Sequence, residues 1–204
     1  MKNFGLIVIG AHIGVHILND IEEYKDQNIL LIEPVPHNLR LLKENIKKYK
    51  SINIEEVTIG KAKEIKKFYF VKEDSVTKLG KHWASGIGSF NKQHIINHKT
   101  KRFNVTEQDI QSVDIQCITF NQLAEKYSIN HIDKLQIDVE GAEYEILDSI
   151  DFEKIFIKKI LFESKHLDGT FKEGKKLDLI KKKLTMNNYD LKQIDQENIL
   201  AERK

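Results

Sequence analysis

Phe4-Gly5-Leu6-Ile7-Val8-Ile9-Gly10-Ala11-His12-Ile13-Gly14 is the stretch on which the fold turns. Residues 4–9 form a short apolar run that stops at Gly10, the pattern of a strand buried on both faces. Beyond the glycines, apolar residues recur at Ile13, Ile17, Leu18 and Ile21. That spacing predicts a helix over residues 13–24. A buried strand, a glycine turn and a helix together open a β-α-β unit.

The alternation continues outward. Residues 28–32 read as a second buried strand closed by Glu33-Pro34, residues 38–49 as a helix carrying Leu39, Leu42 and Ile46, and residues 52–59 as a third strand. Strand–helix–strand order implies right-handed crossovers and a parallel sheet. Residues 64–71 read as a further strand, but residues 72–104 show little periodicity. A loop of that length inside a compact domain is usually functional or a lid. Strand and helix signals resume at 113–120, 121–127, 134–138, 142–150, 156–163 and 174–186. Two strands, 189–194 and 198–202, close the chain as a hairpin, so one of them runs antiparallel to the rest. The expectation is a single α/β domain spanning residues 1–204, doubly wound and mostly parallel, with an irregular insertion around 61–116.

The composition is that of an ordinary globular chain. Among 204 residues, 33 are basic and 31 acidic, a net charge of +2. That balance argues against a dedicated nucleic-acid binder, so no specific nucleic acid is expected as a partner. No apolar run approaches the roughly 18 residues that span a bilayer. The lone Cys117 has no partner for an internal disulfide. A cytoplasmic protein without a membrane span is expected, and a homodimer is left open.

Gly10, Ala11, His12 and Gly14 lie between the first strand and the helix, where glycine lets the backbone approach a ligand. Glu33 ends the second strand, where an acidic residue can bond the hydroxyls of a ribose. Together with Pro34 these residues form a candidate adenosyl site. A nicotinamide-dinucleotide oxidoreductase is the rival reading. Its turn wants glycine at the third and sixth positions, which here are His12 and Val15. The plainer alternative is that the glycines serve only strand–helix packing.

Three segments in order resemble the FkbM-type methyltransferase family. They are Val8-Ile9-Gly10-Ala11-His12-Ile13-Gly14; Ile32-Glu33-Pro34 with Asn38, Leu42 and Asn45 behind it; and Lys134-Leu135-Gln136-Ile137-Asp138-Val139-Glu140-Gly141-Ala142-Glu143. The last is the most specific. The resemblance implies a class I methyltransferase sheet, of the Rossmann-like type, with its last strand antiparallel. It implies S-adenosylmethionine as methyl donor, S-adenosylhomocysteine as product, and a hydroxyl on a sugar, glycan or small metabolite as acceptor. Val8 stands where the family usually has Asp, and His12 where it usually has Asn. These departures motivate a further alternative, a non-catalytic Rossmann-like binding module.

Methyl transfer needs alignment and removal of a proton. Asp138 ends the fourth strand of the parallel set and Glu140 opens the next turn, near the switch point where such sheets bind ligands. Asp138 is the first candidate to face the methyl group or the acceptor; helix capping is its structural alternative. Glu163 and His166 follow the next strand; His166 is a candidate base, with a solvated loop histidine as its structural alternative. In the middle segment, Trp83 and Phe90 lie beside Ser85, Gly86, Gly88 and Ser89, where the aromatics are candidates to stack on a sugar or form a lid; pinning the loop to the core is the structural alternative. His94 and His98 share helical spacing, with His82 and Glu73 as distant candidates for a third ligand. Two histidines alone do not make a metal site, so surface histidines and no metal are expected.

Overall fold

Apolar strands separated by helices with one apolar face can hide their side chains only by stacking helices on both faces of a sheet. The computed structural model, which describes residues 1–80, 82–97, 104–168 and 174–204, has this arrangement. In chain order the elements are β1 (Lys2–Ile9), α1 (Leu18–Glu23), β2 (Asn28–Ile32), α2 (Pro36–Asn45), β3 (Ile52–Glu55), β4 (Thr58–Ile59), β5 (Glu64–Val71), α3 (Glu73–Leu79), β6 (Gly88–Ser89) and α4 (Lys92–Asn97). They continue as β7 (Ile110–Ile118), α5 (Phe120–Tyr127), β8 (Ile129–Ile137), α6 (Glu143–Ser149), β9 (Phe156–Glu163), α7 (Lys175–Met186), β10 (Tyr189–Gln193) and β11 (Asn198–Arg203).

Seven strands form one sheet in the order β10-β11-β9-β8-β1-β2-β3. The pairings from β9 to β3 are parallel, and β11 is antiparallel to both of its neighbours. This is the class I methyltransferase arrangement. Strand β1 shows why both faces are covered. Ile7 and Ile9 pack with Leu123 of α5, Ile146 of α6 and Ile180 of α7. Leu6 and Val8 point the other way, to Ile17, Ile21 and Leu42. Local signals set the helix ends. Pro36 occupies the first turn of α2, where its missing N–H costs nothing. Thr119 and Gln122 cap α5 reciprocally, at 3.1 Å each way.

The register brings the functional residues together. Ile9 lies opposite Ile32 on one side and Ile137 on the other, and Ile137 lies opposite Phe162. The residues that follow, Gly10, Glu33, Asp138 and Glu163, therefore line one carboxyl edge of the sheet. A second sheet, β4-β7-β5-β6, stands over that edge. Its Phe68, Phe70 and Ile115 pack against Val35, next to the Glu33-Pro34 turn.

Several local expectations change. The helix expected from residue 13 begins at Leu18, after a 3-10 turn over Val15–Ile17. His12 and Gly14 have φ of 51° and 78°, and no right-handed helix includes such residues. Helix α2 ends at Asn45 rather than at residue 49. The strand expected over 52–59 divides, because the chain leaves the first sheet after Glu55 and β4 joins β7 in the second. The stretch 72–104 carries α3, β6, α4 and a 3-10 turn over His82–Gly86 among its described residues. Strand β8 is longer than residues 134–138. Its polar positions are supported sideways: His131 stacks on Phe156, and Lys134 reaches Asp20 at 2.5 Å. Among the described residues, no helix is long and apolar enough to cross a membrane.

Candidate active site

Gly10 is where the chain turns off β1, with φ of 90°. A Cβ there would lie 1.8 Å from the Asp138 carbonyl oxygen, so only glycine lets β1 and β8 close at this edge. The backbone N–H groups of Gly10 and Ala11 both donate to Ile32 O at 3.0 Å, which ties the turn to β2. The Glu33 carboxylate is nearly sealed from solvent and collects protein donors. Oε2 accepts the His12 N–H at 2.8 Å. Oε1 accepts the Val35 N–H at 3.0 Å and the Asn38 amide at 3.3 Å. Burial pushes this carboxyl up to about 7, against the downward pull of the Val35, His12 and Asn38 hydrogen bonds.

A carboxylate offers about four acceptor positions. Three are used, so Glu33 can take one further hydroxyl as it stands. A second becomes available if the longest contact, from Asn38, yields. Asn38 has another partner in Ser85 O at 2.7 Å. The His12 ring shares a 2.6 Å hydrogen bond with Ser85 Oγ, joining the glycine turn to the middle segment.

A cavity of about 540 Å³ opens here. By strand order, Glu33 and Pro34 line it on the β2 side, Asp138, Glu140 and His166 on the β8 and β9 side, and Gly10 lies between them. Phe68, Phe90 and His94 come from the second sheet and the middle segment. The volume suits a metabolite-sized ligand. Ala11, His12, Gly14 and Glu163 stand behind this lining. Ala11 is core; a Cβ on Gly14 would meet Leu42 at 2.5 Å, so Gly14 serves helix packing.

The β8 and β9 side is acidic. Glu140 is held in the left-handed region, with φ of 56°. Glu143 supports the turn from below: its carboxylate accepts the Val139 N–H at 3.0 Å and the Gly141 N–H at 2.9 Å. Burial pushes Glu143 up to about 7. His166 Nε2 lies 3.1 Å from Glu140 Oε2 and 3.9 Å from Glu163 Oε2. Lys165 Nζ pairs with Glu163 Oε1 at 2.5 Å and with Glu197 Oε2 at 3.1 Å. Burial, reinforced by neighbouring carboxylates, raises Asp138 to about 6 and Glu163 to about 8. Burial opposes the charge on Lys165, yet its bonds to Glu163 and Glu197 hold its pKa above the ordinary lysine value. Carboxyls raised by burial and by one another beside a cavity make this corner a candidate reaction site.

A family profile described as the Methyltransferase FkbM domain matches residues 9–197. The chain belongs to the FkbM methyltransferase family. No curated relative matches it. Among solved structures, it is similar to methyltransferase FkbM from Methylobacillus flagellatus, with TM-score 0.53 and 14% identity. That alignment covers 98% of this chain and 43% of the other, so this chain spans less than half the length of that relative. It is also similar to the Methanococcus jannaschii fibrillarin pre-rRNA processing protein, with TM-score 0.51, 12% identity, and coverage of 100% and 68%. At these identities the likeness establishes the fold.

For this FkbM-family chain, the sequence reading placed Gly10, Glu33, Pro34, Asp138, Glu140, Glu163 and His166 at one edge, and the structure brings them together there. It missed three residues. His94, expected at the surface, is only 25% exposed in its side chain and stands 3.8 Å from Glu140 Oε2. Glu143 stands within the 134–143 segment without a role, and Lys165, between Glu163 and His166, was not singled out. Glu143 had a legible signal, as an acid one turn beyond a strand-end turn with donors to satisfy. His94 had none, because its helix lies in the insertion. His98 and the side chains of His82 and Trp83 lie outside the described residues.

Proposed function

We propose that this protein is an S-adenosylmethionine-dependent methyltransferase that methylates a hydroxyl group of a sugar, glycan or small metabolite. The observation that carries this reading is the division of one cavity: Glu33, with acceptor capacity left, on the β2 side, and the Asp138–Glu140–His166 corner on the β8 and β9 side. Family membership supports the reaction class. When bound, the cofactor supplies a methyl group on a sulfonium, which leaves as a neutral thioether.

The chain's own residues do the rest. Glu33 receives a ribose hydroxyl and fixes the nucleoside end. The Gly10 turn lets that end lie against the sheet edge. Asp138, which lines the cavity, takes the proton of the acceptor hydroxyl as its oxygen bonds the methyl carbon and the carbon–sulfur bond breaks. A carboxyl raised to about 6 is a stronger base than an ordinary aspartate. Glu140 and His166 position the acceptor. Phe90 and Phe68 supply an apolar wall against which a sugar or ring can lie.

The near balance of charge and a buried, unpaired Cys117 fit a cytoplasmic enzyme with a dissolved acceptor, acting through the chain as one domain. A nicotinamide-linked oxidoreductase gains no support, since the third turn position is a histidine whose ring is bonded to Ser85.

The test is transfer of labelled methyl from S-adenosylmethionine to a panel of sugars and phenols, beside titrations with S-adenosylhomocysteine and NAD. Micromolar binding of the homocysteine product, none of NAD, and label on oxygen are expected. Binding without transfer to any acceptor would favour the non-catalytic module, and binding of NAD alone would overturn the cofactor assignment.

A further inference from the structure

We propose that Glu140, Glu163 and His166, with His94 beside them, bind one divalent first-row metal ion, and that this ion holds an oxygen of the hydroxyl acceptor. The sequence gives no spacing for such a site, because the ligands come from three places: the turn after β8, the end of β9 and the turn beyond it, and α4.

The geometry is close to that of a site. One ligand atom from each of Glu140, Glu163 and His166 lies within 4.8 Å of the other two. Bonds of ~2.1 Å at tetrahedral angles put ligand atoms ~3.4 Å apart. The separations here are 3.1 Å from His166 Nε2 to Glu140 Oε2, 3.9 Å from His166 Nε2 to Glu163 Oε2, and 3.8 Å from His94 Nε2 to Glu140 Oε2. These three separations bracket that value, and every pair among Glu140, Glu163 and His166 stays within 4.8 Å. The rings of His94 and His166 meet edge to face at 5.5 Å, so the two imidazoles are neighbours at this corner.

A second observation points to a ligand. Glu163 is 4% exposed, and its Oε2 has no hydrogen-bond partner among the described residues. Its Oε1 is already taken by Lys165. A buried carboxylate oxygen aimed at a histidine and a second carboxylate, with no donor of its own, is poorly placed without a cation. Charge agrees. Asp138, Glu140 and Glu163 converge here, and the ammonium that meets Glu163, Lys165, is shared with Glu197.

Mixed imidazole and carboxylate donors suit manganese through zinc better than magnesium or calcium, which favour oxygen alone. Glu140, His166 and His94 line the cavity, so an ion among them has an open side toward it. An acceptor hydroxyl bound there gives up its proton more readily, which favours acceptors with a second oxygen adjacent to the reacting one. This role rests on the methyltransferase reading; ion binding itself does not.

The experiment is titration of chelator-stripped protein with Mn²⁺, followed by electron paramagnetic resonance and calorimetry, with Zn²⁺ as competitor and no cofactor present. Glu163→Gln and His166→Asn are compared with Asp190→Asn, a surface control. Each protein is then titrated with S-adenosylhomocysteine. One ion per chain is expected, with affinity at least tenfold weaker in both site variants and unchanged in the control. Glu163→Gln keeps the side chain's shape, so it carries the test if His166→Asn fails to fold. Absence of stoichiometric Mn²⁺ and Zn²⁺ binding overturns the proposal, as does binding of equal strength in both site variants. If the ion binds but the homocysteine product does not, the ion site stands and the cofactor reading fails. The opposite pattern removes the ion and leaves the cofactor reading intact.

Discussion

Replacing Glu33 by Gln keeps the side chain's size and changes only what it can accept. In the native protein both carboxylate oxygens take backbone N–H groups, from His12 and from Val35. Glu33 lines the cavity, and in the proposed function its remaining acceptor position takes a ribose hydroxyl. An amide keeps one oxygen and turns an N–H₂ toward the other donor, so Glu33→Gln sets a donor against a donor. Hydrogen bonds to charged groups contribute about 1.5–3 kcal/mol. Loss of one should weaken S-adenosylhomocysteine binding by about tenfold to a hundredfold at pH 8.

The same carboxyl predicts a pH dependence. With its pKa near 7, the ionised fraction falls about tenfold between pH 8 and pH 6. If the ionised form binds the ribose, affinity for the product falls by the same factor over that range. The sign for stability is the reverse. The folded state holds this proton more tightly than the unfolded chain, so Glu33 favours folding at low pH, and that contribution is lost as pH rises from about 4.5 to about 7. Glu33→Gln should show neither dependence at this site. Thermal unfolding between about pH 4.5 and 7, and calorimetry of both proteins between about pH 6 and 8, read the two effects separately. A wild-type affinity that stays flat over that range, or a variant that binds as tightly as wild type, would refute the assignment of Glu33 to the ribose.

Other substitutions probe the frame that holds the site. Gly10→Ala would put a methyl group against the Asp138 carbonyl at a backbone angle that alanine avoids, for about 3 kcal/mol and a melting point lower by about 10 °C; an unchanged melting curve would show that β1 and β8 do not close as described. Glu143→Ala removes the acceptor shared by the Val139 and Gly141 N–H groups, so hydrogen exchange at those two amides should rise at least tenfold while the amides of β1 keep their protection. Val8→Asp restores the acid usual in the family, yet Val8 is fully buried among Leu6, Ala11, Ile17 and Leu42. A carboxylate there should cost about 3 kcal/mol or more. Tighter product binding at an undiminished melting temperature would contradict that reading.

The parallel half of the fold was legible because β1 and β2 carry apolar runs, β8 ends with apolar Leu135 and Ile137, β9 has an apolar triplet before its last residue, and each is followed or closed by a residue with a different job: Gly10, Glu33, Asp138, Glu163. Register then places those four side by side, so a linear reading found the sheet edge. The second sheet was harder. Strand β5 carries Glu64, Ile65, Lys66 and Lys67 at exposed positions before its buried Phe68, Phe70 and Val71, so its alternation is only half visible. Strand β6 is two residues long and α4 six, too short for periodicity to register. His94 reaches the site through these elements, which is why it read as a surface residue. The pairing of Lys165 with Glu163 and Glu197 depends on the turn between β10 and β11 lying beside the end of β9, a long-range placement that no local pattern announces.

The position of Val8 gives the glycine turn a particular mechanics. In a chain with an acid at that strand end, one carboxylate is free to hold the turn while another binds the ribose. Here the strand-end residue is core, and the carboxylate that reaches the turn is Glu33, through the His12 N–H. One buried group therefore helps hold the loop and, in the proposed function, also accepts the ligand. A further tie to the loop, His12 to Ser85, comes from the middle segment rather than from β1. Loop geometry and ligand affinity should consequently change together. Any substitution that draws Glu33 away from His12 should loosen residues 11–14 and weaken cofactor binding in the same proportion, and Ser85→Ala should do the first while leaving the ribose acceptor in place.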